Sequence, residues 1–141
     1  MQFSTGEAAA RAGVASSALR YWERQGLVAP ARHGGQRRYG RAEMRRIALL
    51  KLAGTLGFRL TAAATVLDAS PRQRRHAAEE EIQRLDHLIE NARGARELLA
   101  SARDCPESHQ ASACPSMQGA LDLLLDGVDP TILRDLDQPG R

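Results

Sequence analysis

The residues best suited to bind or react are two cysteines near the end of the chain. Cys105 and Cys114 are its only thiols; eight residues separate them, and each is followed by a proline, Pro106 and Pro115. Proline locks its own φ and cannot continue a helix that begins before it. The two prolines therefore mark the ends of a short loop and keep both thiols facing one small space. Soft thiolates select copper(I), silver, zinc or mercury over magnesium or calcium. Two sulphurs suit a monovalent, two-coordinate ion, whereas zinc takes about four ligands. His109, inside the loop, and His76 can make up that number. An iron–sulphur cluster would want about four cysteines. The same pair can also close to a disulfide on oxidation, which makes a thiol-redox sensor the second reading. A third is a cysteine nucleophile with His109 as base. The loop offers no oxyanion site and no enclosing pocket, so an enzyme is not expected. No organic cofactor is expected either.

A loop of this kind has to be held by neighbouring elements. Ser70-Pro71 is a helix start, with Ser at the N-cap and Pro at the first helical position. From there only Gly94 interrupts a helical pattern that runs from Arg72 to Arg103. Leu85, Leu88, Ala92, Ala95, Leu99 and Ala102 recur at alternating steps of three and four, flanked by Ile82 and Ile89. That is a coiled-coil seam. A stripe of this length needs a partner helix, and a second copy of the chain is the simplest supplier. Folding back onto its own C-terminal segment is the alternative. After the loop, Cys114-Pro115 opens a short helix through Met117, Leu121, Leu124 and Leu125, which Gly127 stops.

Upstream, the chain is punctuated like a small helical domain. Ser4 or Thr5 caps a helix to Arg11, broken by Gly13; Ser16 or Ser17 opens a second, Ala18 to Gln25, stopped by Gly26. Val14, Leu19 and Trp22 supply the apolar side of that second helix. Two short helices about a glycine-containing turn make a helix-turn-helix. Then Gly34-Gly35-Gln36-Arg37-Arg38-Tyr39 suits a tight β-turn whose arms project cations. A third helix, Arg41 to Thr55, carries Met44, Ile47, Ala48 and Leu52 on one side and ends at Gly57, and Thr61 caps a fourth through Val66 and Leu67.

Charge follows the same division. Residues 1–60 hold eleven Lys or Arg against three Asp or Glu, a net +8; residues 61–141 hold nine against fourteen, a net −5. The basic half points to a polyanion, of which nucleic acid is the commonest. Aromatics make up 4% of residues, so the core must be mostly aliphatic. No apolar run nears the ~20 residues that span a bilayer, and the N-terminus lacks the features of a signal peptide. A cytoplasmic protein without a membrane partner is expected, with its thiols reduced.

Gly13-Val14, Leu19-Arg20-Tyr21-Trp22-Glu23-Arg24-Gln25-Gly26-Leu27, Pro30, Arg37-Arg38-Tyr39 and Leu56-Gly57-Phe58 together resemble the mercury-resistance-regulator (MerR) family. The resemblance runs from Phe3 to about residue 125. It implies an all-α fold with a small β wing: a winged helix-turn-helix DNA-binding domain (1–69), a long antiparallel coiled-coil dimerisation helix (70–104), and an effector-sensing loop with a C-terminal helix (105–141). It also implies a homodimer that binds double-stranded promoter DNA with an overlong spacer, distorts it for RNA polymerase when an effector arrives, and catalyses nothing. Carried over, Arg20 and Tyr21 are recognition-helix contacts, with Ser16 and Ser17 at that helix's N-terminus; Arg37, Arg38 and Tyr39 are wing contacts to phosphate. Ala15, Ala18 and Gln36 depart from the family's usual residues. The cysteine pair resembles that of the metal-sensing members, which assigns Cys105 and Cys114 to a soft metal ion; His109 in the loop is the further candidate ligand already named. The family's divalent sensors take a further cysteine from the start of the partner's dimer helix, and Ser70 to His76 contains none.

Overall fold

Ser4 opens the first helix, α1 (Thr5–Ala12). Its hydroxyl accepts from the Glu7 N–H, and its own N–H donates to the Glu7 carboxylate at 2.8 Å, so two of the helix's orphan donors are satisfied reciprocally. This computed structural model describes residues 1–106, 108 and 110–133 of the chain. Helix α2 (Ser16–Arg24) begins two residues earlier than expected. Ala15 occupies its N-cap without a side-chain hydrogen bond, so Ser16 and Ser17 are its first residues and not its caps. Tertiary packing explains the shift: the Val14 N–H donates to the Ala9 carbonyl of α1 at 3.0 Å, and Leu19 and Trp22 are buried. The chain therefore leaves the turn already positioned to wind.

Strands β1 (Ala31–His33) and β2 (Gln36–Arg38) form an antiparallel hairpin that pairs Ala31 with Arg38, Arg32 with Arg37 and His33 with Gln36. The two turn residues, Gly34 and Gly35, both have positive φ (56° and 77°), which is the backbone a two-residue hairpin turn demands. Phe3 and Tyr39 exchange backbone hydrogen bonds of 2.9 and 2.8 Å, tying the hairpin's base to the N-terminus.

Helix α3 (Arg41–Leu56) buries Ile47, Leu50 and Ala53. This corrects the expected face: Met44 is half-buried at its edge, whereas Ala48 and Leu52 are exposed. Helix α4 (Leu60–Asp68) is not capped by Thr61. Arg59 stands at its N-cap, and Leu60, packed against the core, begins the helix one residue before Thr61. Arg46 fastens α3 to its surroundings: its Nε donates to the Leu27 carbonyl, and its two Nη atoms grip both Asp68 oxygens at 2.5 and 2.6 Å.

Helix α5 (Pro71–Asp104) runs 34 residues with Gly94 inside it. The Ser70 hydroxyl accepts from the Gln73 N–H at 3.4 Å, and Gln73 returns an acceptor to the Ser70 N–H at 3.2 Å. After it come a single 3-10 turn (Ala111–Ala113), α6 (Pro115–Leu125) and a four-residue helix, α7 (Pro130–Leu133), that the residue pattern did not announce. The chain divides into two units, Met1–Leu85 and Asp86–Arg141. Among the described residues, every buried apolar side chain lies between Ala8 and Ala63. None of the described residues of α6 is buried, and Leu88, Ile89, Leu98 and Leu99 stand exposed on α5. No described helix is long and apolar enough to cross a membrane.

Candidate nucleic-acid interface and thiol pair

Leu19 and Trp22 anchor α2 in the core. That fixes what the helix shows outward. Arg20, Tyr21 and Arg24 are exposed, with Tyr21 at 48%; Ser17 is exposed and Ser16 half-buried at the start of the helix. The first N–H groups of any helix lack intrahelical partners, and here no side chain caps them. Such an end favours an anion.

Glu23, which the residue pattern does not single out, ties the arginines of the wing to this helix. The hairpin register sets Arg32 directly opposite Arg37. Like charges in that position repel. Glu23 of α2 accepts from both, from Arg32 Nη2 at 3.5 Å and from Arg37 Nε in a shorter contact. The hydrogen bond from Arg37 to Glu23 raises the Arg37 pKa above its ordinary value. Arg38 donates instead to Gln36 Oε1 at 3.0 Å. One signal for Glu23 was available: two arginines facing each other across a glycine turn require an acid nearby.

Tyr39 is a correction. Expected on the wing against phosphate, it is fully buried, and its backbone pairs with Phe3. Its ring is the largest fully buried side chain, so it holds the hairpin to the core and does not reach outward.

Below α3, a second acid sits among cations. Glu81 is the buried charged residue of α5, at 5% exposure. Its Oε1 accepts from the Arg59 N–H at 2.8 Å and from Arg84 Nε and Nη2 at 2.9 and 2.7 Å; its Oε2 accepts from Arg59 Nε at 2.8 Å. These bonds, those from Arg84 foremost, hold its carboxyl down to about 2 despite burial, which pushes the other way.

The thiols lie at the ends of secondary structure. Cys105 directly follows the last residue of α5 and is exposed; Cys114 is half-buried at the N-cap of α6, and its carbonyl accepts from the Gln118 N–H at 2.8 Å. Gln118 Nε2 also donates to the Ser112 carbonyl at 3.1 Å, which pins α6 to the 3-10 turn before it. His109 lies outside the described residues. His76 is exposed on α5, 3.5 Å from Glu80. Among the described residues no three His, Cys, Asp or Glu side chains group closely enough to hold a metal ion.

The model of the MerR HTH family regulatory protein matches residues 3–70, which takes in α2, the β1–β2 hairpin and the turn after α3. The HTH-type transcriptional regulator CueR of Salmonella typhi is 30% identical over 118 residues, covering 77% of this chain and 85% of its own. The chain belongs to the MerR family. It is a DNA-binding transcriptional regulator, not an enzyme, and the cysteine-nucleophile reading is thereby closed. Two solved MerR-family structures share its fold. HiNmlR, a member lacking the sensor domain and solved bound to promoter DNA, is 22% identical, with a TM-score of 0.53 over 71% of this chain and 82% of its own. PbrR691 of Ralstonia metallidurans CH34, solved with lead(II), is 19% identical, with a TM-score of 0.60 over 83% of this chain and 98% of its own.

Proposed function

We propose that this MerR-family regulator works as a homodimer, binds double-stranded promoter DNA through α2 and the wing, and responds to a soft metal ion held by Cys105 and Cys114. The domains at 1–69, 70–104 and 105–141 would then divide the labour into DNA binding, dimerisation and sensing. The observation that carries the reading is the pair of Cys-Pro steps. One thiol follows the end of α5 and the other opens α6 at the helix end that favours negative charge. The 30% identity to CueR and the fold shared with a lead(II)-bound member support a metal effector. Copper(I) or silver suits two sulphurs alone, while zinc or mercury would recruit His109 or the partner's His76.

On DNA, Ser16, Ser17, Arg20 and Tyr21 would meet the groove and its phosphates, with Arg37 and Arg38 on the flanking backbone. Tyr39 takes no part in this interface. Metal binding would order the loop and bias the dimer toward an arrangement that distorts an overlong spacer for RNA polymerase. Leu88 and Leu99, exposed on α5, fit the seam of such a dimer. The test is native mass spectrometry of protein loaded under anaerobic, reducing conditions with copper(I), silver, zinc or mercury. One soft ion per cysteine pair, lost in Cys105→Ser and Cys114→Ser, is the expected result. Apo-protein under every metal, with a disulfide forming on oxidation, would put a redox switch in its place.

A further inference from the structure

We propose that Glu81 is a positioning residue that locks the dimer helix to the turn between α3 and α4, so that any roll of α5 must carry the DNA-binding elements with it. The proposal rests on the promoter-distortion reading above and adds the joint through which the movement would pass.

Three observations meet here. Helix α5 buries a carboxylate where an apolar residue would do for packing. Both sides of the turn, residues 57 to 59, are gripped from one face of that helix: Glu81 accepts from the Arg59 N–H at 2.8 Å, and Arg84, one turn on, donates Nη2 to the Gly57 carbonyl at 2.8 Å. Glu81 and Arg84 then bind each other, and Arg59 closes the set through its side chain at 2.8 Å. Glu81 thus faces Arg84 on its own helix and Arg59 from the start of α4.

Apolar contact is non-directional, and two helices so packed can slide or roll past one another. Charge-assisted hydrogen bonds fix direction as well as distance. A clamp that holds an N–H and a carbonyl on opposite sides of one turn cannot follow a roll of α5 unless the turn follows too. Helix α5 runs unbroken from this clamp to Asp104, next to Cys105. A roll of that helix would therefore meet a directional joint at the turn between α3 and α4.

The full-length protein carries the test, with Glu81→Gln, which keeps the shape and loses the charge, and Arg84→Lys, which keeps the charge and loses the fork. Hydrogen exchange is read across the chain, and end-to-end energy transfer is read on an operator fragment selected with wild-type protein. Exchange at residues 58–63 and 78–85 should speed at least about tenfold in Glu81→Gln while α1 and α2 stay as protected as in wild type. Operator affinity should stay within about threefold, the DNA bend of the wild-type complex should be reduced, and Arg84→Lys should fall between. Unchanged exchange in both variants would overturn the proposal. So would a rise spread evenly over residues 1–85, which marks general loss of stability. A variant complex bent as strongly as wild type would remove the transmitting role alone, whereas a wild type that leaves its operator straight would overturn the distortion reading and that role together.

Discussion

The two halves of the molecule use similar aliphatic residues to opposite ends. In the first unit, Leu19, Ile47 and Leu50 are fully buried; in the second, Leu98, Leu99 and Leu125 stand 56%, 68% and 85% exposed. The first unit closes a core from one chain, with wing, helix pair and α3–α4 turn each tied by named hydrogen bonds. The second presents its apolar residues to water within the single chain. One half is complete by itself, and the other, under the function proposed above, would be completed by a second copy and by an ion. This is the division expected of a regulator whose DNA-binding surface must be rigid and whose sensor must have two states.

The sharpest way to break this contrast is the seam. Burying a leucine contributes about 1.5–3 kcal/mol, and a symmetric dimer counts each position twice. Leu88→Glu with Leu99→Glu should weaken dimerisation at least about a thousandfold by analytical ultracentrifugation, while circular dichroism retains a folded first unit. A double variant that still sediments as a dimer would remove α5 as the interface. Next in size is Leu50→Ala, expected to cost about 3 kcal/mol in denaturant unfolding of the first unit. Leu123→Ala on α6, 41% exposed, should cost less than about 0.5 kcal/mol in the same metal-free protein.

These contrasts also mark what could be read from the residues alone. Ser4, Gly34-Gly35 and Ser70-Pro71 announced their caps and turn because the chemistry involved is local. The long helix α5 was legible for the same reason: the helical pattern after Ser70-Pro71 needs no knowledge of distant residues. Ser16 and Ser17 were read as caps, yet tertiary packing of Leu19 and Trp22 started the helix earlier. Tyr39 looked like part of a cationic wing because two arginines precede it; its pairing with Phe3, far off in sequence, turned it inward. Glu23 and Glu81 escaped notice because each is defined by arginines that the fold, not the spacing, brings to it. The thiol pair was plain because each cysteine precedes a proline, which is again local chemistry.

Acid sharpens the comparison further. Glu81 titrates in the folded chain at about 2, below its ordinary value of 4.5. Its contribution is therefore complete above that ordinary value and is lost as pH falls from there through about 2. The first unit should lose stability across this window in denaturant titrations. Glu81→Gln should flatten that loss by roughly one ionisation, with no change in slope above pH ~6. An identical pH profile in the variant would mean that the clamp does not hold in solution.

The smallest effects belong to the wing. Arg37→Ala should flatten the salt dependence of operator binding by about one unit of log K against log salt. Glu23→Gln should do the reverse, steepening it by up to about one unit while reducing preference for the selected operator over random DNA, because Arg32 and Arg37 lose their common tether. Arg20→Ala should cost more on the selected operator than on random DNA. Equal losses on both would take α2 out of the groove.

The most direct test of the account joins the two halves. In vitro transcription from supercoiled DNA carrying the regulator's own promoter is run under anaerobic, reducing conditions with copper(I), silver, zinc or mercury added singly. The account predicts that at least one soft ion raises transcription. Cys105→Ser and Cys114→Ser should each lose nearly all of that response, the double variant little more, and all three should keep operator affinity within about threefold. Transcription indifferent to every metal, yet altered by peroxide or a disulfide oxidant, would contradict it.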